Sequence, residues 1–172
     1  MIVLGIDPGT AVTGYGVVSG DGPARMQLVE CGVIRTPARD PLPSRLFEIH
    51  AGITELIARH RPDVLAVEDV FYARNVRTTI VLGHARGVIL LAGAQHGLPI
   101  HEFPPAEIKK AVAGTGAATK EQVQFMMMRL LRLKTVPSPS DAADGIAAAL
   151  TCLMGVRIPK LRGDASTIGV HP

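Results

Sequence analysis

Cysteine is scarce in this sequence: its 172 residues include two, Cys31 and Cys152, far apart along the chain. Neither a disulfide framework nor a cysteine zinc site can be built from them, since both need several thiols or closely spaced ones. A reducing, cytoplasmic setting is expected. Tryptophan is absent and aromatics make up only 3% of residues, while apolar residues reach 47%. The core must therefore rest on Ala, Val, Leu and Ile, a composition common in α/β domains. No apolar run free of charges and breakers reaches the roughly 18 residues that a membrane span requires. The N-terminus opens directly into Ile2, Val3 and Leu4 with no basic flank or cleavage site, so a soluble protein with no membrane partner is expected. Motifs for nucleophilic catalysis are missing too. There is no G-x-S-x-G elbow, and the histidines at 50, 60, 84, 96, 101 and 171 lack H-E-x-x-H spacing; His84 and His101 read as structural.

What remains is enough for one domain, since a chain of this length buries about two thirds of its unfolded surface. We place that domain at residues 1–155 and read residues 156–172 as a flexible, partly basic tail. Charge divides unevenly along the chain. Residues 1–69 carry six basic and nine acidic side chains, whereas residues 70–172 carry twelve and six. The second half thus suits a polyanionic partner.

Hydrophobic periodicity predicts an α/β order of elements. Ile2 to Ile6 reads as a buried strand, and Val17 and Val18 belong to a second after a turn-prone Gly14-Tyr15-Gly16. Met26 to Ile34 supplies a third, giving an antiparallel meander. A helix follows over 44–60, with Leu46, Ile49, Ile53, Leu56 and Ile57 on one face. Val64 to Val70 reads as a central strand, 71–77 as a polar loop and 78–95 as a helix apolar nearly all round. The small residues of that helix suit deep core or a subunit interface. Leu98 to Phe103 is a fifth strand, and a short helix then carries Lys109 and Lys110. Thr119 and Gln122 match a capping box opening a helix through Leu133. Ser138-Pro139-Ser140-Asp141 announces a last helix to about Leu153, with Pro139 in its first helical position. Gly145 inside that helix costs roughly 1 kcal/mol against Ala, a cost that only close packing would justify.

Four acids stand in unusual places. Asp7 and Glu68 sit at the ends of apolar strands, where desolvation penalises an ionised carboxylate unless a cation or donors compensate. Asp141 and Asp144 are three apart at a helix start, hence on one face and roughly 5–6 Å apart at Cβ. A strand-end cap or the helix dipole would explain one or two of them. Four converging acids would repel strongly unless they shared divalent cations, and hard oxygen ligands suit Mg²⁺ or Mn²⁺. Two such ions could activate a water and stabilise the leaving oxygen in attack on a phosphodiester.

Gly5-Ile6-Asp7-Pro8-Gly9-Thr10, Val67-Glu68-Asp69-Val70-Phe71 and Asp141-Ala142-Ala143-Asp144, in that order, resemble the RuvC family of Holliday junction resolvases over residues 1–154. Leu82-Gly83-His84-Ala85-Arg86-Gly87 is similar to the family's interface helix, and the stretch from Lys109 through Gly116 to Lys120-Glu121-Gln122-Val123-Gln124 to its basic DNA-binding segment. The resemblance implies an RNase H-like fold, a mixed five-stranded sheet in which an antiparallel meander is followed by parallel strands, flanked by helices. It implies an endonuclease that resolves four-way DNA junctions in recombination and repair. Asp7, Glu68, Asp141 and Asp144 would be catalytic and would hold Mg²⁺, with Mn²⁺ as substitute and two ions per site. Lys109 and Lys120 would contact phosphate, and Phe71 would stack on unpaired bases. A homodimer making paired nicks and a branch-migration helicase partner are further implications.

Some relatives carry histidine where this chain has Asp141, so the resemblance fixes its share of metal ligation less closely than that of the other three acids. Two enzyme alternatives share the opening motif. Actin-like and sugar-kinase ATPases need two large lobes, more than 172 residues supply. An RNase H-like nuclease trimming ribosomal RNA precursors fits the Glu68 and Lys120 stretches less well. A catalytically inactive DNA-binding module is the alternative outside enzymes, against which all four acids are present.

Overall fold

The computed structural model describes residues 1–21, 25–69 and 76–155. Phe71 and the tail 156–172 lie outside the described residues. Five strands, β1 (Ile2–Asp7), β2 (Val12–Gly20), β3 (Met26–Arg35), β4 (Val64–Glu68) and β5 (Ile100–Phe103), form one sheet in the order β3-β2-β1-β4-β5. The first three pair antiparallel, and β4 and β5 extend the sheet in parallel from β1. Five helices accompany them: α1 (Leu42–His60), α2 (Val76–Gln95), α3 (Pro105–Ala113), α4 (Lys120–Leu131) and α5 (Ser140–Gly155).

Alternation along the strands sorts the core into two layers. Leu4, Ile6, Leu65 and Val67 face Ile49, Ile53, Ile57, Ala85 and Ile89 of α1 and α2. Val3, Val64 and Ala66 face the other way, toward α3, α4 and α5. The full run of α5 from Ala142 to Leu153, apart from Asp144, is buried against the sheet, because its small side chains let it lie close to strand backbone.

That closeness explains the glycines. A Cβ on Gly145 would come within 2.7 Å of the Tyr15 backbone, and one on Gly5 within 2.2 Å of the Gly145 carbonyl oxygen. Gly14 and Gly16, read from sequence as a turn, instead lie inside β2 and face α5, where side chains would strike Asp141 and Ile146. Gly145→Ala is expected to destabilise the fold by about 1–3 kcal/mol through overpacking, lowering Tm by about 2–4 °C per kcal/mol. Gly155→Ala, whose Cβ would meet nothing within 4 Å, should leave the melting curve unchanged in the same thermal denaturation experiment.

Other boundaries differ modestly. Helix α1 begins at Leu42, with a proline in its first turn. Helix α5 begins at Ser140, so Pro139 precedes it rather than filling its first position, and the Ser138–Pro139 peptide bond is cis. The capping box at Thr119 is present as expected. Helix α2 is long and apolar enough to cross a membrane by length and composition alone. Here it packs on the sheet through Ala85, Ile89, Ala92 and Gly93, so it is not deep core: much of its surface faces outward.

Candidate active site

The parallel pairing of β1 with β4 places Ile6 beside Val67, and the next residue on each strand is an acid. Asp7 follows Gly5 on the face that packs against α5, and Glu68 follows Ala66 on the same face, so the two carboxylates emerge side by side at the carboxyl ends of adjacent strands. Ligand sites in open α/β sheets form at such strand ends. The glycine seam then brings the first turns of α5, and with them Asp144, over the same point.

Asp7, Glu68 and Asp144 line one cleft of about 280 Å³ together with Lys109 of α3 and Lys120 of α4. Pro105, Ile108, Val123 and Ala147 form its apolar walls. Asp141 does not line the cleft, but its charge reaches Asp7. The structure therefore gathers in the cleft five of the seven residues singled out from sequence; Asp141 stays outside it, and Phe71 lies outside the described residues.

Electrostatics in the cleft are strained. Burial, then the charges of Glu68, Asp144 and Asp141, push the Asp7 carboxyl up to about 8 despite the opposing Lys120. Burial and Asp144 raise Glu68 to about 7, with Lys120 and Lys109 opposing. Lys120 Nζ donates to Asp144 Oδ2 at 2.6 Å. Burial pulls this ammonium down, but the hydrogen bond to Asp144 and the carboxylates of Asp144, Asp7 and Asp141 outweigh it and hold Lys120 above its usual range. The position of Lys120 is fixed locally: Thr119 Oγ1 accepts from the Gln122 amide at 3.3 Å and Gln122 Oε1 accepts from the Thr119 amide at 2.8 Å, which pins the first turn of α4.

The donor chemistry fits a hard divalent cation, since carboxylate oxygens that would otherwise stay protonated are what such an ion stabilises. Among the described residues, however, no three His, Cys, Asp or Glu side chains stand within common ligating reach. Asp144 is instead committed to Lys120.

Sequence reasoning missed two features. Ile108 and Val123 wall the cleft, and they were legible only as buried helix positions beside the two lysines. Arg86, noted in the α2 motif resembling an interface helix, pairs with Glu102 of β5 and lies 3.5 Å from Asp69. It thus ties α2 to the residue that follows Glu68, whose backbone amide also bonds Phe103 O at 2.9 Å. Nothing in its spacing marked that pairing.

A five-stranded sheet of this order with acids at the ends of its first and fourth strands defines a protein of the RNase H-like fold. The family model for crossover junction endodeoxyribonuclease RuvC matches residues 3–152. Crossover junction endodeoxyribonuclease RuvC of Pelotomaculum thermopropionicum is 49% identical over 150 residues, covering 87% of this chain and 91% of that protein. The corresponding protein of Magnetococcus marinus is 52% identical over 148 residues, covering 86% and 81%. Among solved structures, T. thermophilus RuvC in complex with Holliday junction substrate superposes with a TM-score of 0.84 at 39% identity, covering 88% of this chain and 92% of that one. The yeast mitochondrial Holliday junction resolvase Ydc2 shares the fold, with a TM-score of 0.65 at 14% identity, covering 88% and 77%. The chain belongs to the RuvC family of crossover junction endodeoxyribonucleases. It is a metal-dependent nuclease that hydrolyses phosphodiester bonds of DNA.

Proposed function

We propose that this chain resolves four-way DNA junctions by paired, symmetric strand cleavage, with Asp7, Glu68, Asp141 and Asp144 as its catalytic acids. The observation that carries this reading is the single cleft where acids from β1, β4 and α5 meet Lys109 and Lys120. Carboxylates so crowded, two of them pushed up toward neutrality, are stable in ionised form only beside a cation. Bound Mg²⁺ or Mn²⁺, two ions per site, would supply an activated water and charge neutralisation at the leaving oxygen.

The chain's own residues do the rest. Asp7 and Glu68 hold their carboxylates on rigid strand ends, and Asp144 brings a third from a helix locked to the sheet. Lys109 and Lys120, from two different helices, draw the backbone phosphate toward these acids. The apolar walls at Ile108, Val123 and Ala147 limit water around the reacting bond. Phe71, through the family resemblance, stacks on bases unpaired at the junction centre.

Paired cleavage needs two sites, and the exposed face of α2 suits a second copy. Val76, Ile80 and Leu91 stand 76%, 56% and 51% exposed, and a Cβ on Gly83 or Gly87 would meet nothing within 4 Å. A two-fold contact there would match the symmetry of a junction. Action on DNA beside a branch-migration helicase, in the cytoplasm, completes the reading.

The test compares a mobile four-way junction, a linear duplex of the same sequence and a structured ribosomal RNA precursor, each with Mg²⁺. Paired nicks in the junction, with the other two intact, are expected. Equal cutting of the duplex or of the RNA would overturn the assignment.

A further inference from the structure

The cation that the acid cluster holds in this structure belongs to the protein itself. Lys120 Nζ lies 2.6 Å from Asp144 Oδ2, and its charge is also felt by Asp7, Glu68 and Asp141. One ammonium therefore offsets part of the repulsion among all four acids. The pair is not sealed: Lys120 is 48% exposed and Asp144 30%, so the ammonium has open space to leave by. Its stem is four flexible carbons, rooted in a capped helical turn that need not move when the head does.

We propose that Lys120 is an exchangeable cation: it occupies Asp144 until a divalent ion takes its place, and the displaced ammonium is then released to the DNA phosphate. This rests on the reading of the acids as ion-binding. Two consequences follow from the geometry. An ion that ligates Asp144 through Oδ2 competes with the Lys120 ammonium for that oxygen, so its binding there displaces the 2.6 Å contact. Release from Asp144 likewise frees the full charge and reach of Lys120 for phosphate. Metal and DNA occupancy are thereby linked through one side chain, and by reciprocity each favours the other. The ammonium offsets part of the mutual repulsion of the acids for as long as it stays on Asp144.

The experiment is calorimetric titration of the DNA-free full chain with Mn²⁺ at low ionic strength. Wild type, Lys120→Met and Lys120→Arg are compared, each also with Asp7→Asn. Lys120→Met should bind Mn²⁺ about tenfold more tightly, equivalent to about 1.4 kcal/mol, because it removes the competitor while keeping the apolar stem. Lys120→Arg, which keeps a cation, should stay near wild type. Unchanged or weaker Mn²⁺ binding by Lys120→Met, where Asp7→Asn still lowers affinity, would overturn the exchange while leaving the acid cluster as the ion site. Should Asp7→Asn leave Mn²⁺ affinity untouched in every background, the ion-binding reading falls, and the exchange falls with it.

Discussion

Asp7→Asn should abolish cleavage and, in the metal-free protein, raise thermal stability at neutral and alkaline pH. The activity loss is expected to be roughly 10³-fold, because a cation held by these acids contributes several kcal/mol to the transition state and each ~1.4 kcal/mol is tenfold in rate. Junction affinity should be as tight or tighter, since one negative charge is gone from a surface that meets phosphates. The stability gain follows from linkage. Burial and neighbouring carboxylates raise the Asp7 carboxyl from 3.8 to about 8. A raised folded-state value means that the stabilising form is the protonated one. Its contribution is complete below pH 3.8 and is lost as pH climbs toward about 8; Glu68, raised from 4.5 to about 7, adds to the same decline. The neutral amide does not pay this penalty. Melting curves of metal-free wild type and Asp7→Asn should therefore converge near pH 4 and separate near pH 8, by about 2–4 °C for each kcal/mol. Added Mg²⁺ should stabilise wild type and leave the variant unaffected. A variant that cuts normally, or that melts lower than wild type at pH 8, would contradict the site assignment.

Ile80→Arg should convert the proposed dimer into single chains and paired nicks into isolated ones. Ile80 is 56% exposed in the isolated chain, so the substitution costs the single chain no more than about 0.5 kcal/mol. A two-fold interface contains it twice. If each buried isoleucine is worth ~2 kcal/mol at the contact, the dissociation constant should rise by roughly 10³-fold. Light scattering should then give the mass of one chain, 18.2 kDa, where wild type gives twice that. On a junction, Ile80→Arg should leave products nicked in one strand. A wild type that is a single chain yet still makes paired nicks would show that the second site arrives by another route.

Much of this was legible along the chain because it depends on local pattern. The short apolar run of β1, the 3.6-residue rhythm of α1 and the Thr119 capping box each follow from neighbouring residues, and all three elements appear where local pattern put them. The candidate acids were legible for a related reason: a carboxylate ending an apolar strand is costly enough to need a function. Gly14 and Gly16 were misread for the opposite reason. Seen locally they favour a turn, but they sit in a strand because Asp141 and Ile146 press against them from 125 or more residues away.

Sequence by itself determined the order of elements, the buried face of α1 and which charged residues lacked a comfortable structural role. It could not determine how close those residues come. That was decided by helix α5 lying on glycine backbone, by Asp7 and Glu68 falling in register on parallel strands, and by Lys120 reaching back to Asp144. These are contacts between segments far apart in the chain. Their distances depend on packing that no local periodicity encodes.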